Sequence, residues 1–105
     1  MRALGFGMAA GLLLAAGCMT VGQDFPVEQV RTLRMGETTQ AQIRERFGEP
    51  WRTGLDDGRK TWTYARYRYS VIGPTHTRDL VVTFDERGRV VSYTFNSTYP
   101  EDRDL

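Results

Sequence analysis

Few residues of this chain have the types and spacing that catalysis requires. Asp56 and Asp57 form a carboxylate pair of the kind used in acid–base chemistry, but adjacent carboxylates followed by Gly58 are typical of a turn. His76 has no Ser, Cys or acidic partner in a recognisable motif. Neither a glycine-rich phosphate-binding loop nor metal-ligand spacing occurs. The sequence therefore predicts a protein that is not an enzyme and uses no cofactor, metal or small-molecule substrate.

The single cysteine, Cys18, cannot form an internal disulfide, so its position is the clue to its role. It follows residues 3–16, an uncharged run of apolar and glycine residues behind Arg2. At about 14 residues this run is shorter than the roughly 20 that span a bilayer as a helix, and it ends in small residues, as signal peptides do. We predict a signal peptide over residues 1–17.

Residues 14–18 (LAAGC) resemble a bacterial lipobox. The resemblance implies cleavage before Cys18, whose thiol then carries a diacylglyceryl group and whose amino group carries an acyl chain such as palmitate. Because each buried methylene contributes about 0.8 kcal/mol, such chains hold a domain firmly on a membrane. Met19 replaces the aspartate that retains lipoproteins at the inner membrane in the enterobacterial pattern, which favours the outer membrane. The alternative is ordinary signal cleavage with an unmodified cysteine.

Composition limits the rest of the chain to one small domain. The 105 residues are 40% hydrophobic and 26% charged, which is typical of a globular protein. A net charge of +1 gives no electrostatic support for nucleic-acid binding.

Two short helices are predicted in the first half of the domain. Residues 18–26 form a short tether, and apolar residues at every third position of residues 27–33 indicate about two helical turns. Thr39 and Gln42 make a capping-box pattern at the start of a second helix. Gly48 fits its C-terminal cap, and Pro50 prevents continuation.

Three segments rich in aromatic and β-branched residues predict antiparallel strands: residues 60–69 (KTWTYARYRY), 79–85 (DLVVTFD) and 89–95 (RVVSYTF). Residues 70–77 are predicted as a loop, and Gly88 supplies the positive φ of a tight hairpin. The predicted fold class is α+β, with two helices packed on a three-stranded antiparallel sheet (ααβββ). The predicted core comprises Ile43, Phe47, Trp62, Tyr64, Leu80, Val82 and Phe84, with Val91, Tyr93 and Phe95 favoured over Val90, Ser92 and Thr94.

A second resemblance involves these same elements. The chain has Gly36, Thr39, Ile43, Phe47, Gly48, Pro50, Trp62, Tyr64 and residues 80–93 (LVVTFDERGRVVSY) in one order. This arrangement is similar to the SmpA/OmlA (BamE-like) lipoprotein family, with a glycine-to-threonine gap one residue longer here. The resemblance implies a small α+β domain on the inner leaflet of the outer membrane, facing the periplasm. It also implies an accessory, non-catalytic role in the folding of outer-membrane β-barrels, although a fold does not fix a function.

Residues 64–70 (YARYRYS) are the candidate partner-binding segment. Strand alternation places Arg66 and Arg68 on the side of Tyr64, and Tyr67 and Tyr69 on the other. Exposed Tyr and Arg are favoured in protein interfaces, and arginines near a membrane can contact anionic headgroups. The alternative is that both outer tyrosines are edge-strand packing and the arginines are merely solvated.

Four segments and two functional hypotheses follow. The segments are a signal peptide (1–17), a lipidated tether (18–26), a BamE-like domain (27–96) and a flexible tail (97–105). In the first hypothesis, the protein binds partners in barrel assembly or envelope integrity. In the second, it is a stand-alone module of the same fold that binds lipid, peptidoglycan or an enzyme as an inhibitor.

Overall fold

The computed structural model describes residues 17–103. The predicted signal peptide therefore lies, apart from Gly17, outside the described residues. Within them the fold is α+β, with one antiparallel sheet, one α-helix and two short 3₁₀ helices. The elements are β1 (Cys18–Gly22), a first 3₁₀ helix (Val27–Thr32), α1 (Gln40–Phe47), β2 (Arg52–Asp56), β3 (Arg59–Ser70), β4 (His76–Phe84), β5 (Val90–Ser97) and a C-terminal 3₁₀ turn (Pro100–Asp102).

Strand β3 organises the sheet. It is 12 residues long, and β4 pairs antiparallel along one side of it, with β5 beyond β4. On its other side β2 pairs with its first half, where Arg52 lies opposite Thr63, and β1 with its second half, where Cys18 lies opposite Ser70. Strands β1 and β2 therefore extend the same side of β3 at its two ends.

The hydrophobic core lies between one face of the sheet, called here the covered face, and the first 3₁₀ helix with α1. All seven residues predicted for the core are in it. The sequence prediction of the core is confirmed for these residues. The full buried cluster is Phe25, Val27, Val30, Leu33, Ile43, Phe47, Trp62, Tyr64, Leu80, Val82, Phe84 and Val90.

Helix α1 has the predicted ends. The Thr39 side chain accepts a hydrogen bond from the Gln42 backbone N–H, and the Gln42 side chain accepts one from the Thr39 backbone N–H. Gly48 has a φ of +84° and donates its N–H to the carbonyl of Arg44. The helix start is also held to the β4–β5 turn, because the Gln40 N–H donates to the Gly88 carbonyl at 2.9 Å.

The first helix has about the two turns that the pattern predicts, and it is a 3₁₀ helix. Its buried residues Val27 and Val30 and the following Leu33 recur at a spacing of three. A helix with 3.0 residues per turn places such residues directly above one another, whereas an α-helix would rotate them apart. The strict spacing therefore fits the tighter helix.

The sheet has five strands in the described residues, not the three predicted. Every residue of β2 is exposed, so it lacks the alternation by which a strand is recognised. Strand β1 occupies the first part of the predicted tether, and only its last two residues, Val21 and Gly22, are half-buried. Strand β1 forms because the free side of β3 offers backbone partners, which is a long-range cause, whereas β2 forms a local hairpin with β3.

The register of β5 differs from the prediction at its first residues. Val90 is fully buried and pairs with Phe84, whereas Thr83 pairs with Ser92, which leaves Val91 as the extra residue of a bulge. Tyr93 and Phe95 pack against the core as predicted. The bulge therefore buries Val90 instead of Val91, and the prediction of Val91 as the core residue is wrong.

Residues 97–103 contain regular structure and a buried side chain, although the sequence predicted a flexible tail over residues 97–105. Ser97 ends β5, and Pro100–Asp102 forms a 3₁₀ turn. The Asp102 side chain is 7% exposed and makes a salt bridge of 2.8 Å with Arg78. This buried ion pair holds the segment against β4.

Candidate partner-binding surface

The five candidate residues on β3 divide between the two faces of the sheet. Trp62 and Tyr64 lie opposite Val82 and Leu80 of the core. Alternation places Tyr67 and Tyr69 on the other face, called here the open face. The candidates therefore do not form one continuous surface. Strand β3 is also an interior strand, since β1 and β4 flank it, so its tyrosines are not edge-strand residues.

Tyr64 is a core residue. It is 3% exposed, its ring lies 5.5 Å from that of Phe47, and its hydroxyl donates to the Gly48 carbonyl at 2.8 Å. Burial raises the pKa of Tyr64 to about 12, with a smaller opposing effect from Arg44. This residue ties β3 to the end of α1 and is not available to a partner.

Arg66 belongs to an ionic cluster at one end of the covered face. Its guanidinium lies 3.1 Å from the Asp24 carboxylate. The same Asp24 lies 3.1 Å from Nη1 of Arg78. Arg78 also donates hydrogen bonds from Nε and Nη2 to the Asp102 carboxylate. Burial would lower the pKa of Arg78, but its hydrogen bonds and ion pairs with both aspartates outweigh this, so the pKa is raised.

Tyr99 and His76 complete this ionic end. The Arg78 guanidinium lies 4.3 Å from the centroid of the Tyr99 ring. The His76 ring stacks on the same Tyr99 ring, with the two centroids 4.8 Å apart. His76 is the first residue of β4 rather than part of a loop. Its ring packs against that of Tyr99, and its buried Nδ1 has no hydrogen-bond partner among the described residues.

Tyr67 forms a cluster on the open face with Trp51 and Arg52. The Trp51 and Tyr67 rings meet edge to face with centroids 6.0 Å apart. The Arg52 guanidinium lies 4.7 Å from the centroid of the Trp51 ring. Burial and then the nearby Asp79 carboxylate raise the pKa of Tyr67. Two aromatic rings and one cation therefore stand together on this face.

Tyr69 extends the cluster towards the end of the sheet where β1 begins. Its side chain is 46% exposed, and its cross-strand neighbour Met19 is 62% exposed. Val21 lies opposite Tyr67 in the same pairing. We define the tyrosine patch as Met19, Val21, Trp51, Arg52, Tyr67 and Tyr69.

Sequence reasoning missed the members of this patch that lie outside β3. Trp51 and Arg52 come from the start of β2, and Met19 and Val21 from β1. An aromatic residue followed by an arginine directly after the helix-ending Pro50 is the local signal that was available. No local signal could pair Met19 with Tyr69, because they are far apart in sequence.

The adjacent carboxylates Asp56 and Asp57 lie at the hairpin between β2 and β3. Asp57 and Gly58 form the two-residue turn of the β2–β3 hairpin, with φ values of +53° and +80°. An open groove of about 520 Å³ lies between this turn and the β4–β5 turn, lined by both signs of charge. Among the described residues, no three His, Cys, Asp or Glu side chains are placed to hold a metal.

The architecture and the motif order agree with a comparison to known families. The chain matches the family model of the outer membrane protein assembly factor BamE domain over residues 22–94. It belongs to the BamE-domain family. The family resemblance in the sequence is thus confirmed. Among curated proteins, none is significantly similar to this chain.

The BamE-domain match extends from the end of β1 into β5. It includes the covered face, the core helices and most of the tyrosine patch. Cys18 and the C-terminal 3₁₀ turn lie outside the matched residues. None of the helices in residues 17–103 is long and apolar enough to cross a bilayer.

Proposed function

We propose that this chain is an outer-membrane lipoprotein, facing the periplasm, that acts as a non-catalytic accessory factor in β-barrel assembly by binding protein partners. The observation that carries the proposal is membership of a family defined by an outer membrane protein assembly factor. The lipobox resemblance at residues 14–18 supplies the means of anchoring.

Cys18 is the anchor in this proposal. Its side chain is exposed, and it is the first residue of β1. A thioether there would point into solvent without disturbing the core. The acyl chains would then hold the folded domain directly at the membrane surface.

The tyrosine patch is the proposed partner-binding surface. Tyrosine, tryptophan, methionine and arginine are enriched in protein interfaces because they offer large contact areas and planar donors. Met19, Arg52 and Tyr69 are the exposed residues of the patch. The Trp51 ring packs against Tyr67 and contacts the Arg52 guanidinium.

A crosslinking pull-down of the C-terminally tagged full chain from membranes tests this function. We expect mass spectrometry to identify barrel-assembly subunits with the wild type and to lose them with Cys18→Ala. The double variant Tyr67→Ala/Tyr69→Ala should reduce recovery about tenfold, the effect of losing 1–2 kcal/mol at an interface. Leu55→Ala is the matched control, because Leu55 is 74% exposed at the opposite end of the sheet.

Intact mass measurement of the membrane form makes the result decisive. If Cys18 carries its acyl groups and no barrel-assembly subunit is recovered, the assembly role is wrong. If the subunits are recovered equally from the double variant, the role stands but the tyrosine patch is not its surface.

A further inference from the structure

The turn between β3 and β4 lies beside the proposed lipid anchor. Cys18 pairs with Ser70, the last residue of β3. Cleavage before Cys18 would remove Gly17, so this cross-strand pair alone places the N-terminus of the acylated chain beside the turn. Any membrane that holds Cys18 is therefore adjacent to residues 71–75, called here the hairpin tip.

The hairpin tip carries the most exposed large apolar side chains of the described residues. Ile72 is 97% exposed and Val71 is 79% exposed. The tip is closed by a hydrogen bond of 2.9 Å from the Gly73 N–H to the Ser70 hydroxyl. Met19 and Tyr69 are exposed on the adjoining strand ends. This concentration of apolar surface at one end has no role in the core.

The charges around the tip suit a lipid surface. Residues 66–78 contain no Asp or Glu, although Arg66 and Arg78 are paired with Asp24 and Asp102 from other segments. The exposed Arg68 lies opposite His76, two residues before Ser70 at the end of β3 and therefore close to the tip. Exposed apolar side chains beside a cation such as Arg68 suit an interfacial membrane contact, since the apolar chains enter the acyl boundary and the cation remains among the headgroups.

We propose that Val71 and Ile72 insert into the interfacial region of the same bilayer that holds the acylated Cys18. Two contacts on neighbouring strands fix the orientation of the sheet, whereas one flexible lipid anchor would let the domain rotate. Strand β3 then stands on the membrane by its C-terminal end, and the tyrosine patch faces sideways, within reach of other membrane-held proteins. This inference rests on the anchoring part of the proposed function.

An environment-sensitive fluorophore at position 72 tests the insertion. The full lipidated chain carrying Ile72→Cys is labelled with a nitrobenzoxadiazole probe and reconstituted into phosphatidylcholine vesicles with brominated acyl chains. Because Cys18 is the single cysteine of the chain, its acylation leaves the new thiol as the labelling site. We expect blue-shifted emission and strong quenching by the bromines. The matched control Leu55→Cys should show neither.

A second pair of variants moves the probe to position 75 and compares the native Val71 and Ile72 with charged replacements. A probe at Thr75→Cys, on the same turn, should be quenched when Val71 and Ile72 are present. Quenching should be lost in the background Val71→Asp/Ile72→Asp, whose exposed positions leave the core unchanged.

The outcomes separate the two proposals. If intact mass shows acylated Cys18 and the probe at position 72 is as unquenched as that at position 55, tip insertion is overturned while the anchor stands. If the purified membrane form lacks acyl groups, the anchoring part of the proposed function is overturned, and the inference falls with it.

Discussion

The two faces of the sheet are built from the same strands but differ in what covers them. On β4, Leu80 and Val82 are fully buried beneath the helices, whereas Val81 between them remains partly exposed. On β3, Tyr64 is bonded into the core, whereas Tyr69 is nearly half exposed. Alternation along one strand thus separates residues that stabilise the fold from residues that are free to bind.

The covered face is itself divided into an apolar part and an ionic end. Leu80 and Val82 represent the apolar part, and Asp24, Arg78 and Asp102 represent the ionic end. Breaking a buried ion pair leaves an uncompensated charge, which costs more than shortening an apolar side chain. The ionic end is therefore where a single substitution should have the largest effect on stability.

Asp102→Ala should lower the free energy of unfolding by about 3 kcal/mol, because it leaves the 11%-exposed Arg78 with only Asp24 as a partner. Urea denaturation followed by tryptophan fluorescence measures this. Glu101→Ala is the matched control, since Glu101 is an exposed acid on the same 3₁₀ turn. Equal stabilities for the two variants would show that the C-terminal turn contributes nothing to the covered face.

Val82→Ala and Val81→Ala compare the two faces at adjacent positions of one strand. Val82 is fully buried, so removing two methyl groups should cost about 2 kcal/mol, including the cavity left behind. Val81 is half-buried on the open face, and its truncation should cost less than about 1 kcal/mol. Similar losses at both positions would mean that the open face is also packed in solution.

The sequence predicted the parts of the fold whose causes are local. The Thr39 and Gln42 cap, the strands of the second half and the alternation of Leu80, Val82 and Phe84 all depend on near neighbours, and the structure contains them. The positive φ of Gly88 in the β4–β5 turn also follows from its immediate context. Local physics was sufficient for these elements.

The rest of the fold depends on contacts between distant residues. Strand β1 forms only because the second half of β3 offers it a backbone edge, where Met19 pairs with Tyr69. Asp24 meets Arg78 across 54 positions of sequence, and no pattern in either neighbourhood identifies its partner. The candidate residues of β3 were placed on the correct faces by alternation. The sequence predicted Tyr64 in the core as well as in the candidate segment, and the structure decides for the core. The sequence could not show that Trp51 joins Tyr67.

Tyr64→Phe should change the free energy of unfolding less than Asp102→Ala or Val82→Ala does, and it tests the covered face through the pH dependence of stability. The variant should lose about 1 kcal/mol at neutral pH, the usual contribution of one hydrogen bond, here the one to Gly48. Burial raises the pKa of Tyr64 in the folded state from 10.0 to about 12. The unfolded chain therefore releases this proton first as the pH rises, so stability present below pH 10 is lost progressively up to about pH 12.

Denaturation curves between neutral pH and pH 12 measure this loss, and Tyr64→Phe should show a shallower decline than the wild type because it has no proton to release. Tyr69→Phe, at the exposed ring on the open face, should decline as the wild type does. If Tyr64→Phe instead kept the full alkaline decline, the ring on the covered face would not control the ionisation-linked stability. The distinction drawn between the two tyrosines of β3 would then fail.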